Sequence, residues 1–222
     1  MGGSNLIISP ERTTSRYQNG MFVNDILCAH HDRQLGREVD EPIFDLATDF
    51  SRRNKGTGRF YYRVDDIDPA LVARWIVSVF WRASVTNHFD WHHIDIGQFE
   101  DRAGQIAFGQ DLSTIPELSI EVGRYRQSLN GQTFDADKVV AMPWTKVVNG
   151  HRLFLMTVGG FRMSMKFDRL IPGNGLGPLE IVGQTHLFGA WFNLEGTIDH
   201  RNMMRVVSAA DERDAVKGIE RW

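Results

Sequence analysis

The residues most suited to metal chemistry form one cluster within eight positions, His88-Phe89-Asp90-Trp91-His92-His93-Ile94-Asp95. Its three imidazoles and two carboxylates could bind zinc, manganese or iron, or could supply a metal and a general base together. In a helix His88 and His92 would lie on one face, whereas in an extended chain His93 and Asp95 would do so. The alternative is a loop whose two aromatic side chains cover the core, because the spacing matches no established metal motif.

Cys28 and His31 form a second candidate metal site with Cys-x-x-His spacing. A thiolate and an imidazole are both good zinc ligands, and two intervening residues allow a knuckle turn to bring them to one ion. A structural zinc normally has four ligands, and no second Cys-x-x-Cys or His-x-x-His pair precedes this one. Zinc is therefore the cofactor that the pair predicts, and the alternative is a buried free cysteine beside surface histidines.

The most basic stretch of the chain spans residues 51–59 and carries four cations and two glycines, the cations being Arg52, Arg53, Lys55 and Arg59. Cations on a mobile segment can follow a phosphate backbone without recognising bases, so this stretch predicts nucleic-acid binding. The alternative is a solvated helix end, where cations are favoured by the negative pole of the helix dipole.

Composition narrows the choice of partner and compartment. The formal net charge is −3, which excludes the global basic field of a dedicated nucleic-acid binder but permits a local patch. A single cysteine excludes an internal disulfide and fits a reducing compartment, and the first ten residues lack the features of a secretory signal. We expect a cytoplasmic protein without a membrane partner, because the longest apolar run is interrupted by Arg74 and Arg82.

Residues 17–36 (YQNGMFVNDILCAHHDRQLG) and the later Trp-Arg-Ala-Ser of residues 81–84 resemble a loosely defined group of bacterial and prophage proteins. These have an HNH-like or zinc-ribbon-like N-terminus, with a Gly-x-x-Asp-x-x-Leu-Cys-x-x-Cys-Asp/Glu pattern before a Trp-Arg-Ala-Ser helix. His31 stands at the group's second metal cysteine, and Asp32 matches the acidic position after it. The first Cys-x-x-Cys pair is absent. The resemblance, which covers roughly residues 17–100, implies a phage or mobile-element protein with half of the metal site and without HNH nuclease chemistry.

The element that must organise the chain is a helix over residues 69–84. Asp68 can cap its first turn, and the proline that follows lacks an N–H that would need a partner there. Apolar residues surround most of the helix, which predicts a central buried position. Arg74, Ser78 and Arg82 form one polar stripe. We expect carboxylates of a neighbouring element to pair with the arginines, and the alternative is an anion-binding site.

Strand patterns dominate from residue 118 to residue 195. Asn149-Gly150 predicts a tight hairpin, and strict alternation places Phe161, Met163, Met165 and Phe167 on one face. We therefore predict an α+β fold in which a helical N-terminal half packs on an antiparallel sheet from the C-terminal half. We divide the chain into an N-terminal hairpin or knuckle-like segment with a helix (1–57) and a main α+β domain (58–222).

Three functional hypotheses follow from the sequence. The first is a non-catalytic binding or regulatory protein of phage or mobile-element type that acts on a protein or nucleic acid. The second is a metal-dependent hydrolase or nuclease that uses the cluster from His88 to Asp95. The third is a structural or assembly component that forms homo-oligomers. Stoichiometric metal would distinguish the second, and salt-dependent binding would identify a nucleic-acid partner.

Overall fold

The computed structural model describes residues 26–56, 59–86, 94–126, 140–168, 179–193, 197 and 201, and the backbone alone of residues 5–9, 12–17, 128–129 and 132–133. The helical elements, in chain order, are α1 (Ala29–Leu35), a π-helical turn (Gly36–Asp40), α2 (Glu41–Arg53), α3 (Pro69–Val85) and α4 (Glu100–Ala107). Short 3₁₀ turns lie at Gly97–Phe99 and Leu112–Thr114.

The strands are β1 (Asn5–Ser9), β2 (Arg12–Tyr17), β3 (Tyr61–Val64), β4 (Ser119–Tyr125), β5 (Ser128–Leu129), β6 (Gln132–Thr133), β7 (Ala141–Val148), β8 (His151–Val158), β9 (Phe161–Lys166) and β10 (Leu187–Phe192). Within the described residues, eight of these strands form one sheet in the order β2-β1-β7-β8-β9-β4-β10-β3. The two short strands β5 and β6 pair only with each other.

Helix α3 is the central helix that the sequence predicts. The carboxylate of Asp68 accepts the N–H of Ala70 at 2.8 Å, as expected of an N-cap. Trp75, Ile76 and Val77 are consecutive and all buried, which shows that the helix is covered on more than one side. Its apolar surface packs among the other helices and the sheet in one hydrophobic cluster.

The helical run from Ala29 to Arg53 contains one π turn because of Pro42. Proline has no N–H, so the carbonyl of Glu38 has no partner four residues later. The chain adapts by widening one turn, in which the N–H of Glu41 bonds to the carbonyl of Gly36, five residues earlier. A proline within a helical pattern predicts either a kink or a new helix start, and here α2 starts at Glu41, directly after the widened turn.

The α+β class is confirmed, but the sheet is mixed rather than antiparallel throughout. Strand β10 runs parallel to β4, and β1 runs parallel to β7 through one residue pair. Strand β3, from the N-terminal half, forms an edge of this sheet. The sequence pattern identifies strands but does not order them, so it could not show which neighbours run in the same direction.

Two local predictions about the sheet are confirmed. Asn149 and Gly150 have φ angles of 52° and 85°, which are the left-handed values of a two-residue hairpin turn between β7 and β8. Phe161, Met163 and Met165 are all buried in the hydrophobic cluster, so the alternation of β9 marks its core face.

The buried side chains of α2, such as Leu46 and Phe50, belong to the same hydrophobic cluster as those of α3 and the sheet. The proposed boundary between residues 57 and 58 stays a prediction. Within the described residues, none of the helices combines the length and the apolarity that a membrane span requires. The dipeptide Asn19-Gly20 predicts a hairpin turn, and the charged, amphipathic tail from residue 209 predicts a terminal helix. Both lie outside the described residues.

Candidate functional site

Cys28 and His31 lie in contact at the start of α1, with Sγ 3.3 Å from Nδ1. The backbone N–H groups of His31 and His30 lower the pKa of the Cys28 thiol. The thiol is exposed, so the alternative of a buried cysteine is wrong. Cys28 is exposed because it precedes the first turn of α1, which lies outside the core. Two ligands are half of a structural zinc site, and no group of three or more metal-ligating side chains exists among the described residues. Zinc at this pair stays a prediction.

Of the histidine-rich cluster, His88, His92 and His93 lie outside the described residues. Asp95 is described and exposed, and its carboxylate accepts the N–H of Gly97 at 2.7 Å. This bond closes a tight turn in which Gly97 has a φ of 57°, so the carboxylate has a local structural role. A metal site built on the histidines stays a prediction.

The polar stripe of α3 is paired as expected, and its partners come from the π turn. Both terminal nitrogens of Arg82 bond the carboxylate of Asp40, at 2.9 and 3.2 Å, and the indole of Trp75 donates to the same carboxylate at 2.9 Å. Arg74 bonds Glu38 at 3.3 Å and the carbonyl of Ala107 at 2.9 Å. These arginines therefore hold elements together rather than offering an anion site.

The four cations of residues 51–59 lie in different environments. Arg52 is 76% exposed and pairs with Asp49 on its own helix, whereas Arg53 is largely buried and faces Asp66 at 3.8 Å. Lys55 and Arg59 are exposed. The structure therefore divides the basic stretch into two ion-paired arginines of α2 and two cations in the connection to β3.

A groove of about 300 Å³ lies where the C-terminal end of α2 meets the ends of β4 and β10. We call it the arginine–tryptophan groove, and it is lined by Phe50, Ser51, Asn54, Arg124, Arg126 and Trp191. The volume is at the lower end of the range for ligand pockets, about 300–1,000 Å³. Three elements far apart in sequence thus build one concave, cationic and aromatic surface.

Arg124 is a fixed cation of this groove. Its guanidinium lies 4.2 Å from the ring centre of Phe50 and 4.4 Å from that of Phe161, and it bonds the carbonyl of Gly159 at 2.8 Å. The residue is only 2% exposed. Two ring faces stabilise the charge where water cannot reach most of it, so its position is set by packing.

Arg126 and Trp191 connect the groove to the exposed residues before β3. The guanidinium of Arg126 lies 5.9 Å from the Trp191 ring and donates a hydrogen bond to the carbonyl of Arg59. The backbone N–H of Trp191 bonds the carbonyl of Phe60 at 2.8 Å, which extends the pairing of β10 with β3 by one residue. The backbones of Arg59 and Phe60 therefore lie next to two lining residues, and we call Arg59 and Phe60 the rim of the groove.

Sequence reasoning missed Arg124, Arg126 and Trp191. The only local signal was the alternation Arg124-Tyr125-Arg126, which places two arginines on one face of a strand. Nothing in the sequence indicated that β10 would lie beside β4 and bring an indole to them.

A second polar cluster lies at the other end of the sheet. Asp168 contacts the imidazole Nδ1 of His151, and its carboxylate lies 3.2 Å from Nζ of Lys166. Lys166 is 2% exposed and stands opposite Ser119 on β4. A buried ammonium group is expected to lie beside a carboxylate, as it does in a structural ion pair. The charges of this cluster therefore neutralise one another.

No protein-family model, curated protein or solved structure matches this chain. The resemblance to HNH-like or zinc-ribbon-like proteins therefore stays a prediction.

Proposed function

We propose that this protein binds nucleic acid without catalysing a reaction, and that the strand follows the arginine–tryptophan groove. The observation that supports this proposal is the presence of two arginines and a tryptophan, Arg124, Arg126 and Trp191, on one groove wall. Guanidinium groups form paired hydrogen bonds with phosphate oxygens, and indole rings stack with bases. The combination is typical of surfaces that contact both parts of a nucleotide.

The positive charge near the groove supports a nucleic-acid partner, although the whole chain is slightly acidic. The exposed cation of Arg59 lies at the rim, tied to Arg126 through its own carbonyl. The last turn of α2 also faces the groove, and a helix C-terminus repels anions. The carbonyl of Phe50 accepts the N–H of Asn54 at 2.8 Å, and the guanidinium of Arg124 lies against the Phe50 ring, so both offset that negative pole.

The affinity expected of such a site is modest and depends on salt. Non-specific nucleic-acid binding typically has a dissociation constant of about 10⁻⁴ to 10⁻⁶ M at physiological salt. For a single strand, log K falls with log salt by about 0.7 per phosphate contacted, so contacts from Arg126 and Arg59 predict a slope of about −1.4.

The test is fluorescence anisotropy of a labelled oligonucleotide over a range of salt concentrations. We expect Arg126→Glu and Arg59→Glu each to weaken binding about tenfold or more and to reduce the salt slope. Lys146→Glu is the matched control, because Lys146 is exposed on β7, away from the groove, and it should change affinity less than about twofold. Salt-independent binding, or an equal loss in the control, would contradict the proposal.

The biological setting is proposed from the sequence. A regulatory role in a phage or mobile element depends on the sequence resemblance, and a cytoplasmic location depends on the single cysteine. Two alternatives are a protein that binds a protein partner and an assembly component that forms homo-oligomers. In either case the anisotropy experiment would detect no binding of the oligonucleotide.

A further inference from the structure

Phe60, at the rim of the groove, has a ring that is 65% exposed. A phenylalanine in this position gains nothing from contact with water, and its neighbours in the groove are cations and an indole. We infer that the ligand of the groove is single-stranded and that one unpaired base stacks on Phe60. This inference rests on the proposed function and specifies the class of nucleic acid.

The backbone of β10 fixes the side of the sheet on which Phe60 lies. Trp191 donates its N–H to the carbonyl of Phe60, and the next pair along the ladder is Ala190 with Tyr61. Residues opposite each other in a ladder share a face, so Phe60 lies on the face of Trp191, which lines the groove. Phe60 therefore continues the aromatic wall of the groove outward.

The next residue provides an internal comparison. Tyr61 lies on the opposite face, where its ring stacks on Phe188 with centroids 5.3 Å apart. It is also exposed, at 42%, but it is separated from the groove by the sheet itself. Phe60 and Tyr61 are thus adjacent aromatic residues that lie on opposite faces of the sheet, and only Phe60 lies on the face of the groove.

Two cations lie close to Phe60. The guanidinium of Arg59 lies 5.8 Å from the centre of the Phe60 ring, and Arg126 contacts the Arg59 backbone. A nucleotide whose base stacks on the ring would therefore place its phosphate near two arginines. In a duplex the base faces are covered by neighbouring base pairs, so Phe60 could not contact one without unstacking it.

The experiment compares three labelled probes at one salt concentration: an oligothymidine of about 12 nucleotides, an abasic strand of the same length and a duplex of the same length. The abasic strand keeps the phosphates and lacks the bases. We expect oligothymidine to bind about tenfold more tightly than either other probe, which is the size of effect that removing one base-stacking contact produces.

Variants assign the difference to one ring. Phe60→Ala should reduce the preference for oligothymidine while the affinity for the abasic strand is unchanged, and Phe60→Trp should restore the preference. Tyr61→Ala, on the opposite face, and Phe44→Ala, whose ring is 55% exposed on α2, should keep it. Equal binding of oligothymidine, abasic strand and duplex by the parent protein would overturn the inference but leave the proposed function intact. A lack of binding to all three probes would contradict the proposed function itself.

Discussion

The carboxylate of Asp40 joins the π turn to helix α3, and its removal gives the most specific stability prediction. It accepts two hydrogen bonds from Arg82 and one from the indole of Trp75. The side chains of Asp40 and Arg82 are 22% and 23% exposed, so solvent screens the pair only in part. We expect Asp40→Ala to destabilise the fold more than Asp40→Asn does.

The two substitutions separate charge from hydrogen bonding. Removing one partner of a buried ion pair costs about 3–5 kcal/mol, and the partial exposure of this pair reduces the expected loss for Asp40→Ala to about 2–4 kcal/mol. In Asp40→Asn the amide oxygen still accepts from Trp75, whereas the negative charge is lost and an NH₂ group replaces one of the two oxygens that accept from Arg82. We therefore expect about 1–2 kcal/mol for that variant.

Urea unfolding followed by tryptophan fluorescence measures both variants. The slope m should stay unchanged while the midpoint falls, because the folded and unfolded surfaces are the same. Asp45→Asn on α2 is the matched control, since Asp45 is exposed and has no ion pair among the described residues, and it should cost less than about 0.5 kcal/mol. A cost for Asp40→Asn equal to that of the control would refute the account of this junction, as would a double variant with Arg82→Ala whose effects are simply additive.

Three further outcomes follow from the structure. The pKa of Cys28 is lowered by the N–H groups at the start of α1, so alkylation of the native protein should reach half its maximal rate at a lower pH than alkylation in urea; equal midpoints would contradict this. Burial raises the pKa of the Glu121 carboxyl, although nearby Arg162 lowers it in part. The folded state therefore binds the carboxyl proton more tightly than the unfolded state does, and the protein loses stability as pH rises through the raised pKa. Glu121→Gln should therefore unfold at higher urea than the parent at pH 7, with the gain vanishing below about pH 4. Gly189→Ala should lower the urea midpoint, because a Cβ there would overlap the ring of Tyr62 and the carbonyl of Val122; a midpoint like that of the parent would contradict this.

Local signals in the sequence predicted local structure well. The cap of Asp68, the hairpin at Asn149-Gly150 and the alternation of β9 each depend on residues within a few positions of one another. The polar stripe of α3 was also informative, because a charge on an otherwise buried helix requires a partner. Its partners, Glu38 and Asp40, were not identifiable from the sequence, since the π turn that presents them arises from the missing N–H of Pro42.

The groove could not be predicted because its parts meet only through the strand order. Arg124 and Trp191 come together since β10 lies parallel to β4, and a parallel neighbour leaves no short-range turn signal. Phe50 completes the wall from α2, more than 70 residues before β4's arginines. The basic stretch of residues 51–59 gave the approximate location, but only Arg59 of its four cations is tied to the groove by a described contact.

The proposal of nucleic-acid binding at this groove is tested most directly by photocrosslinking. A single strand that carries 5-bromouracil is irradiated in complex with the protein, and the attached residue is identified by mass spectrometry of the peptides. We expect attachment at Trp191, which lines the groove, or at Phe60, the exposed ring on its rim. Crosslinks confined to other surfaces, such as Tyr61 on the opposite face or the β7–β8 hairpin with its exposed Val147, would contradict it.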